Sequence, residues 1–414
     1  MKDYSKMNCF DQNTWLRHLQ EDILPYWTTS AALGNPQGNF PTYLDQNSEQ
    51  IPDQQHYIRT IGRQIYMYLE AYHLLKEQRF LNYAEAGFSW MEKHAKNPRG
   101  GFYTIFEENG HPLNAAITLQ DLSYGTLPYV AHYSHSGDTH SLSIILEITD
   151  LIADGPFFQA GILHDALDVT YQKVCPFEGT ELNIVSVLDF LNVIVIPMLN
   201  ATIHHNNKTL QDKFLKILEK FLDLLVQDFF ADNIFWNNCK NRTDFSAKHV
   251  DLGHTSKAYG IVFQANRLLS EQNRPVKYWE IEKEYLPIVK AASSPIVGWK
   301  TDFDCSPVQF IPGALQWWRH ILINQTTALY VQEYPELLPF LKNGLETWLT
   351  LPYVDKTRRV RGIREGLQSD GTVFPGDADS WTCKANHWKN GYHETEHIVK
   401  ILSFIAWYKK KESL

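Results

Sequence analysis

Cysteine is scarce in this sequence. Cys9, Cys175, Cys239, Cys305 and Cys383 are scattered, odd in number and form no C-x-x-C pair, which points to reduced thiols in a cytoplasm. Positive charge is also in short supply. A net charge of −9 argues against a nucleic-acid partner, because binding phosphates needs a basic face. The basic cluster in the tail "WYKKKESL" reads as a solvated helix end. The opening "MKDYSKMNCFDQNTW" lacks an apolar core, so no secretory signal is expected. The longest apolar run, "IVSVLDFLNVIVIPML", carries Asp189, Asn192 and Pro197. It reads as too short and too polar to span a bilayer, so no membrane partner is expected.

What is present is ordinary in bulk and unusual in one respect. Of 414 residues, 44% are apolar and 21% charged, enough to bury a sizeable core. Aromatic residues make up 13%, with 12 Trp and 21 Tyr, a surplus that fills helical cores or stacks on flat ligands and sugar rings.

Hydrophobic periodicity predicts about twelve helices. They begin near Thr14, His56, Leu81, Asp121, Thr139, Asn183, Thr209, Thr255, Val276, Ala314, Tyr334 and Glu394. In "TLQDKFLKILEKFLDLLVQDFF", Leu210, Phe214, Ile217, Leu218, Phe221 and Leu225 form one stripe against a charged face, the signature of a half-exposed outer helix. The preceding segment is apolar nearly all round and should be buried. Its polar residues Ser186, Asp189 and Asn192 recur at every third position, a spacing that would line one face of a cavity.

The connections alternate. Even-to-odd links such as "KEQR", "SGD" and "EYPE" are short, and the odd-to-even links are long, aromatic and glycine-punctuated, as in "NPRGGFYTIFEENGHPLNAAI" and "GWKTDFDCSPVQFIPG". Glu107-Glu108-Asn109-Gly110 reads as a hairpin turn. Short links pair helices antiparallel and place every long link at one end. Six such pairs closing on themselves give an all-α fold, an (α/α)6 barrel with short hairpins in the long loops, spanning residues 1–414 as a single domain. Even-numbered helices would be inner, their N-termini facing the long loops, where sites are usually built.

Several reactive residues fall near those N-termini: Arg63, His254, Trp317, Trp318 and His393. A histidine at a helix N-terminus feels the positive end of the macrodipole and stays neutral, fit to act as a base. Two such bases on opposite walls, with an arginine and stacking indoles, suit proton transfer beside a carbonyl. Each residue also has a plain structural reading, as an ion pair for Arg63 or as core packing for the tryptophans. His393-Glu394-Thr395-Glu396-His397 also matches H-E-x-x-H, a zinc-protease pattern. It lacks a well-spaced third ligand, since no G-x-x-H follows and the only later acid is Glu412. No metal is expected.

Taken in order, these stretches resemble the N-acylglucosamine 2-epimerase superfamily, which includes cellobiose 2-epimerases and aldose–ketose isomerases. "GRQIYMYLEAY", "RGGFYTIFEENGHP", "LGHTSKAYGIVF", "ALQWWRHIL" and "HWKNGYHETEHIVKIL" are similar to its R-Q-V-W/Y helix, its Gly-Gly-aromatic hairpin, its P-G-H-x-x-E-x-x-W helix, its K-x-W-W stretch and its W-K-G-x-Y/F-H-x-x-R terminus. The resemblance covers most of the chain. It implies an (α/α)6 barrel that epimerises or isomerises an open-chain mono- or disaccharide by histidine-mediated proton transfer at C2. Arg63, His254 and His393 would be catalytic. Trp317, Trp318, Trp236, Asn237, Trp388, Tyr392, Lys257, Gln120, Asp189 and Ser186 would bind the sugar. No cofactor is implied, the partner is a small sugar, and a homodimer is compatible with this reading.

The sequence departs from that pattern. Lys257, Leu322 and Glu396 stand where the family has Glu, Glu and Arg, and Asn237 stands near an acidic position of the loop at Trp236. Gly253-His254 lacks the usual preceding proline, though Asp251 can cap the helix. Losing an orienting partner can cost orders of magnitude in rate, so two other functions are carried forward. One is a glycoside hydrolase or polysaccharide lyase on the same toroid, with Asp121, Asp189, Asp302 and Asp304 as candidate acids. The other is a sugar-binding relative with impaired catalysis.

Overall fold

The computed structural model describes residues 8–52, 54–175, 182–239, 250–305, 308–375 and 383–412. Twelve helical segments dominate the described residues. They are α1 (Gln12–His18, running on through Leu19–Ile23 and Leu24–Trp27), α2 (Ile58–Leu75), α3 (Gln78–His94), α4 (Leu119–Ser136), α5 (Thr139–Ala153) and α6 (Ile184–His204). The second half holds α7 (Lys208–Phe229), α8 (Leu252–Glu271), α9 (Trp279–Lys283 and Tyr285–Ala292), α10 (Trp317–Tyr330), α11 (Leu338–Thr350) and α12 (Tyr392–Glu412).

The packing order closes a ring. Helix α2 packs on α4, α4 on α6, α6 on α8, α8 on α10, α10 on α12, and α12 returns to α2. Each odd-numbered helix backs onto an inner neighbour, so this is the (α/α)6 barrel expected from the alternating links. Helix α7 shows why the outer layer is amphipathic. Phe214, Ile217, Leu218, Phe221 and Leu225 are buried while the charged face is exposed or half-buried, each buried side chain contributing about 1.5–3 kcal/mol. The Asn207 side chain caps the helix by accepting the Leu210 N–H at 3.2 Å.

Close helix contacts need small residues at the crossings. A Cβ on Gly62 would lie 2.1 Å from the Tyr124 carbonyl oxygen, so only glycine lets α2 approach α4 here. At the other end of α4, Gly137 stops the helix in the left-handed conformation with φ of 70°.

Helix α6 runs longer than its apolar sequence suggested. Ile184–His204 has the length and hydropathy of a membrane span, yet 78% of its most apolar window is buried inside the protein, so it serves as a core wall. Its middle, Phe190–Val195, is a π turn. The extra residue per turn breaks the every-third-position face. Asp189 and Asn192 therefore open onto two different cavities.

The long loops are tied together in sequence around one end. The backbone N–H of the first residue of five inner helices donates to a loop carbonyl. Ile58 reaches Thr104 (2.9 Å), Leu119 reaches Asp165 (2.8 Å), Ile184 reaches Asn237 (2.9 Å), Leu252 reaches Thr301 (3.0 Å) and Trp317 reaches Glu365 (3.0 Å). Short antiparallel pairs flank these bonds. Gln55–Tyr57 pairs with Ile105–Glu107, Ile117–Thr118 with Ala166–Leu167, Leu182–Asn183 with Asn238–Cys239, and Leu315–Gln316 with Gly366–Leu367. The bridges Asp251–Asp302 and Leu44–Ala385 continue the pattern. Otherwise unpaired N–H groups at the helix starts are thereby satisfied by backbone, and each loop is held against the next. The hairpin turn foreseen at Glu107–Gly110 is present, with Gly110 at φ of 83°.

Candidate functional site

A cavity of about 300 Å3 opens at the loop end, and all six inner helices reach it. Arg63 enters from α2, Gln120 and Tyr124 from α4, Val185 and Asp189 from α6, and His254 and Lys257 from α8. Trp317, Trp318 and Leu322 come from α10 and His393 from α12, while the loops add Asn183, Asn237, Gln316, Glu365 and Trp388. Six helix N-termini converge here, so the partial positive ends of their dipoles give the floor a field that favours developing negative charge.

His254 sits in the first turn of α8, on a buried carboxylate. Asp251 caps the helix through Oδ1, which accepts the His254 backbone N–H at 2.8 Å, and its Oδ2 lies 2.9 Å from His254 Nδ1. Asn237 Nδ2 donates to the same Oδ2 at 2.8 Å, and Arg319 Nε is 3.9 Å from Oδ1. Burial opposes ionisation of Asp251, but His254, Arg319 and Asn237 outweigh it and hold the carboxyl far below the usual range. A carboxylate facing Nδ1 places the proton there and turns the Nε2 lone pair outward. The cap foreseen at Asp251 thus also orients the histidine, a role that the cap pattern alone does not reveal.

His393, the second residue of α12, is half-buried. Its Nδ1 is sealed, without a hydrogen-bond partner among the described residues. Burial, then Arg63, Lys257 and Lys389, push its pKa well below the ordinary value, so the ring is neutral at physiological pH. The two imidazoles are not on opposed walls. They stand on the helices flanking α10, whose paired tryptophans lie between them. Trp318 packs on His254 with ring centroids 4.6 Å apart, and Trp317 meets His393 edge-on at 6.1 Å. Gln316 Oε1 fixes Trp318 by accepting its indole N–H at 2.7 Å.

Arg63 is buried, its guanidinium 3.6 Å above the Tyr124 ring and donating to the Trp388 carbonyl at 3.1 Å. Lys257 forms a buried ion pair with Asp189, which also accepts from Gln120 (2.9 Å) and Tyr124 (2.8 Å). Burial alone would push the Asp189 carboxyl up, yet Lys257 and Arg63 hold it below its usual range.

Three residues foreseen as sugar contacts lie elsewhere. Trp236 is buried in its hairpin, its indole N–H donating to the Ala231 carbonyl at 3.1 Å. Ser186 is buried one turn before Asp189 and is not among the residues that line the cavity. Tyr392 lies beneath Arg63, packed edge-on against Tyr66 and Tyr124, and faces a second cavity of about 410 Å3 at the other end of the barrel. Glu396 faces that second cavity too, paired with Lys400 at 2.8 Å.

The H-E-x-x-H spacing is divided among separate surroundings. Glu394 is tied to Lys389 at 2.9 Å, and His397 is buried against Trp15 and Trp348, on a different set of neighbours from His393. The carboxylates considered for hydrolysis are also dispersed. Asp121 accepts from Thr118 and lies 3.5 Å from Arg59, Asp302 is paired with Arg319, and the Asp304 side chain is outside the described residues.

Sequence reasoning missed Tyr124, Asn183, Val185, Gln316 and Glu365 among the lining residues. Tyr124 was within reach, one turn after Gln120 on the same helical face. Glu365 was too. It occupies the loop position held by Asp165 in "GILHD" and Asn237 in "NIFWN", four or fewer residues after the Gly or Asn that opens each segment, here "GIRE".

By sequence, no family model and no curated protein matches the chain. Solved structures do. The cellobiose 2-epimerase from Spirochaeta thermophila superposes with a TM-score of 0.80 at 15% identity, covering 96% of this chain and 97% of that one. A D-mannose isomerase gives 0.77 at 13% identity, covering 96% and 99%. An α-mannanase from Bacteroides thetaiotaomicron is more distant at 0.59 and 12% identity, covering 98% of each chain. At these identities the likeness establishes the fold, and the chemistry has to be argued from the site.

Proposed function

We propose that the chain is a carbohydrate epimerase or aldose–ketose isomerase acting at C2 of an open-chain sugar through an enediolate. One observation carries the reading: His254, backed by the Asp251 carboxylate, and His393, held neutral, open onto one cavity on either side of a tryptophan pair. Like the bases foreseen from the sequence, these two can flank one carbon, here a carbon seated over α10. His254 Nε2 takes the C2 proton. Arg63 and the six helix N-termini stabilise the charge that develops on oxygen. His393, neutral at rest, takes the proton of the C1 hydroxyl as the ring opens and then delivers one to C2 for an epimer or to C1 for a ketose. The indoles of Trp317, Trp318 and Trp388 offer the apolar surface on which a sugar face stacks. The enzymes named among the matched structures, cellobiose 2-epimerase and D-mannose isomerase, catalyse reactions of this class.

The hydrolase reading finds less support. Of the carboxyl groups on the cavity wall, Asp189 is saturated by Lys257, Gln120 and Tyr124, which leaves no second acid for a cleaving pair among the described lining residues.

The test is incubation in D2O with cellobiose, D-mannose, D-glucose, and N-acetylated, sulfonated and uronic sugars, followed by NMR at C2. Deuterium should enter C2 of at least one sugar, and His254→Ala and His393→Ala should each abolish it. Wild-type protein that leaves every C2 proton in place overturns the reading. Release of new reducing ends would favour hydrolysis, and saturable calorimetric binding without exchange would favour a binding protein.

A further inference from the structure

Aldoses in water are almost entirely closed hemiacetals, and a hemiacetal carbon offers no carbonyl to activate C2. Chemistry at C2 therefore needs an earlier step that puts a proton on the ring oxygen. Lys257 cannot readily supply it, since it is committed to Asp189, and Asp189 is an acceptor for three donors.

Glu365 is placed differently. Its backbone is clamped on both sides, the carbonyl accepting the Trp317 N–H and the N–H donating to the Cys383 carbonyl, both at 3.0 Å. Gly366, the next residue, pairs with Gln316. The side chain lines the cavity beside the start of α10, and among the described residues Oε2 accepts one hydrogen bond, from Asn386 Nδ2 at 2.9 Å. The other charged or titratable groups near it are Lys389 and the Cys383 thiol. Lys389 is engaged with Glu394 at 2.9 Å and lies 3.9 Å above the Trp317 ring.

From this placement, and resting on the isomerase reading, we infer that Glu365 is the general acid that opens the ring of the bound aldose. The carboxylic proton passes to the ring oxygen as its bond to C1 breaks, the bonding pair going to that oxygen. The anomeric hydroxyl gives its proton to His393, and C1 becomes the aldehyde. Closure without reaction at C2 runs these transfers backwards. After reaction, the proton that His254 took from C2 passes to O1 of the product, directly or through solvent, and the sugar hydroxyl returns its proton to Glu365. No oxidant or co-reactant is needed. Burial also raises the carboxyl's pKa against the opposing pull of Lys389 and Asn386, which favours the protonated form that a general acid requires.

The experiment measures two rates on D-mannose, D-glucose and cellobiose: anomer interconversion by exchange NMR, and C2 deuteration. Wild-type protein should accelerate both on an accepted sugar. His254→Ala should keep anomer interconversion and lose deuteration. Glu365→Gln, isosteric and still able to accept from Asn386, should slow both by about 10^2-fold or more, and Glu365→Asp, which keeps the acid, should restore part of the loss. Circular dichroism and thermal melts check that each variant folds. Anomer interconversion by Glu365→Gln at the wild-type rate overturns the inference and leaves the isomerase reading standing. A wild-type protein that deuterates no sugar removes both.

Discussion

Replacing Asp251 by asparagine separates orientation from architecture at His254. The amide can still cap α8, because its oxygen can accept the His254 backbone N–H that Oδ1 now takes at 2.8 Å, and Asn caps about as well as Asp. The second contact is where the change acts. In the native protein, Oδ2 accepts from Asn237 Nδ2 and faces His254 Nδ1 at 2.9 Å. In the variant that position holds an NH2 group, which opposes two donors. His254 is driven to the tautomer with Nε2–H toward the cavity, and the base is lost. Exchanging the buried acid of a carboxylate–histidine pair for its amide costs up to about 10^4 in rate. A loss of C2 exchange on the order of 10^3 to 10^4 is therefore expected.

Stability should fall far less, by about 1–3 kcal/mol for one frustrated buried donor, because Arg319 keeps its pairing with Asp302. The pH dependence gives an independent check. The folded carboxyl is held below its ordinary value of 3.8, so its stabilising contribution is complete above that range and is lost as pH falls through the folded value. Asp251→Asn should therefore show a shallower acid limb in urea titrations. Exchange within about 10-fold of wild type by a well-folded Asp251→Asn protein would refute the assigned tautomer, because carboxylate support of this kind is worth more.

Other consequences are equally concrete. Lys257→Met leaves Asp189 buried without its cation and should cost about 3–5 kcal/mol in urea unfolding, much of it recovered by adding Asp189→Asn; a single variant within about 1 kcal/mol of wild type would contradict the pairing. Among the described residues neither ring nitrogen of the buried His56 has a hydrogen-bond partner; the ring stacks near Trp90, and burial pushes its pKa down from 6.5 to about 4. The unfolded chain protonates first as pH falls, so this residue removes stability below about pH 6.5 at roughly 1.4 kcal/mol per pH unit. His56→Phe should be tolerated at neutral pH and should flatten the stability-versus-pH curve by that slope, measured by denaturant titration across the window. Gly253→Ala would place a methyl 2.7 Å from Trp318 Cζ3 and 2.9 Å from Arg319 Cγ. It should cost about 1–3 kcal/mol by overpacking and, by shifting the indole that packs on His254, lower C2 exchange beyond what the melting temperature explains.

The barrel was legible because its signals are local and repeated. Apolar period, caps and alternating link lengths placed helix starts within a few residues of those observed, as at Thr139 and at Thr209 against Lys208. Where a signal was local but the geometry was not, the reading slipped. The spacing of Ser186, Asp189 and Asn192 assumed a regular turn, and the π turn at Phe190–Val195 carries Asn192 to a different cavity from Asp189. Tyr392 was expected at the sugar from the resemblance, yet neighbouring residues on a helix point about 100° apart, and Tyr392 faces the second cavity while His393 lines the first. The same reasoning shows why Glu365 escaped notice. The mark it carries is faint, a repeated short segment rather than a catalytic motif, and its position is set by a hydrogen bond from the following helix. Only when the five equivalent bonds are laid side by side does it fall into register with Thr104, Asp165, Asn237 and Thr301. At Asp165, Asn237 and Thr301 a short side chain turns inward to hold the scaffold: Asp165 accepts the Asn183 N–H, Asn237 donates to Asp251, and Thr301 donates to Asp302. Glutamate is longer, and its side chain, like that of Asn237, lines the cavity. A ring that uses one loop position five times for architecture thus presents, at one of them, a carboxylic side chain on the cavity wall.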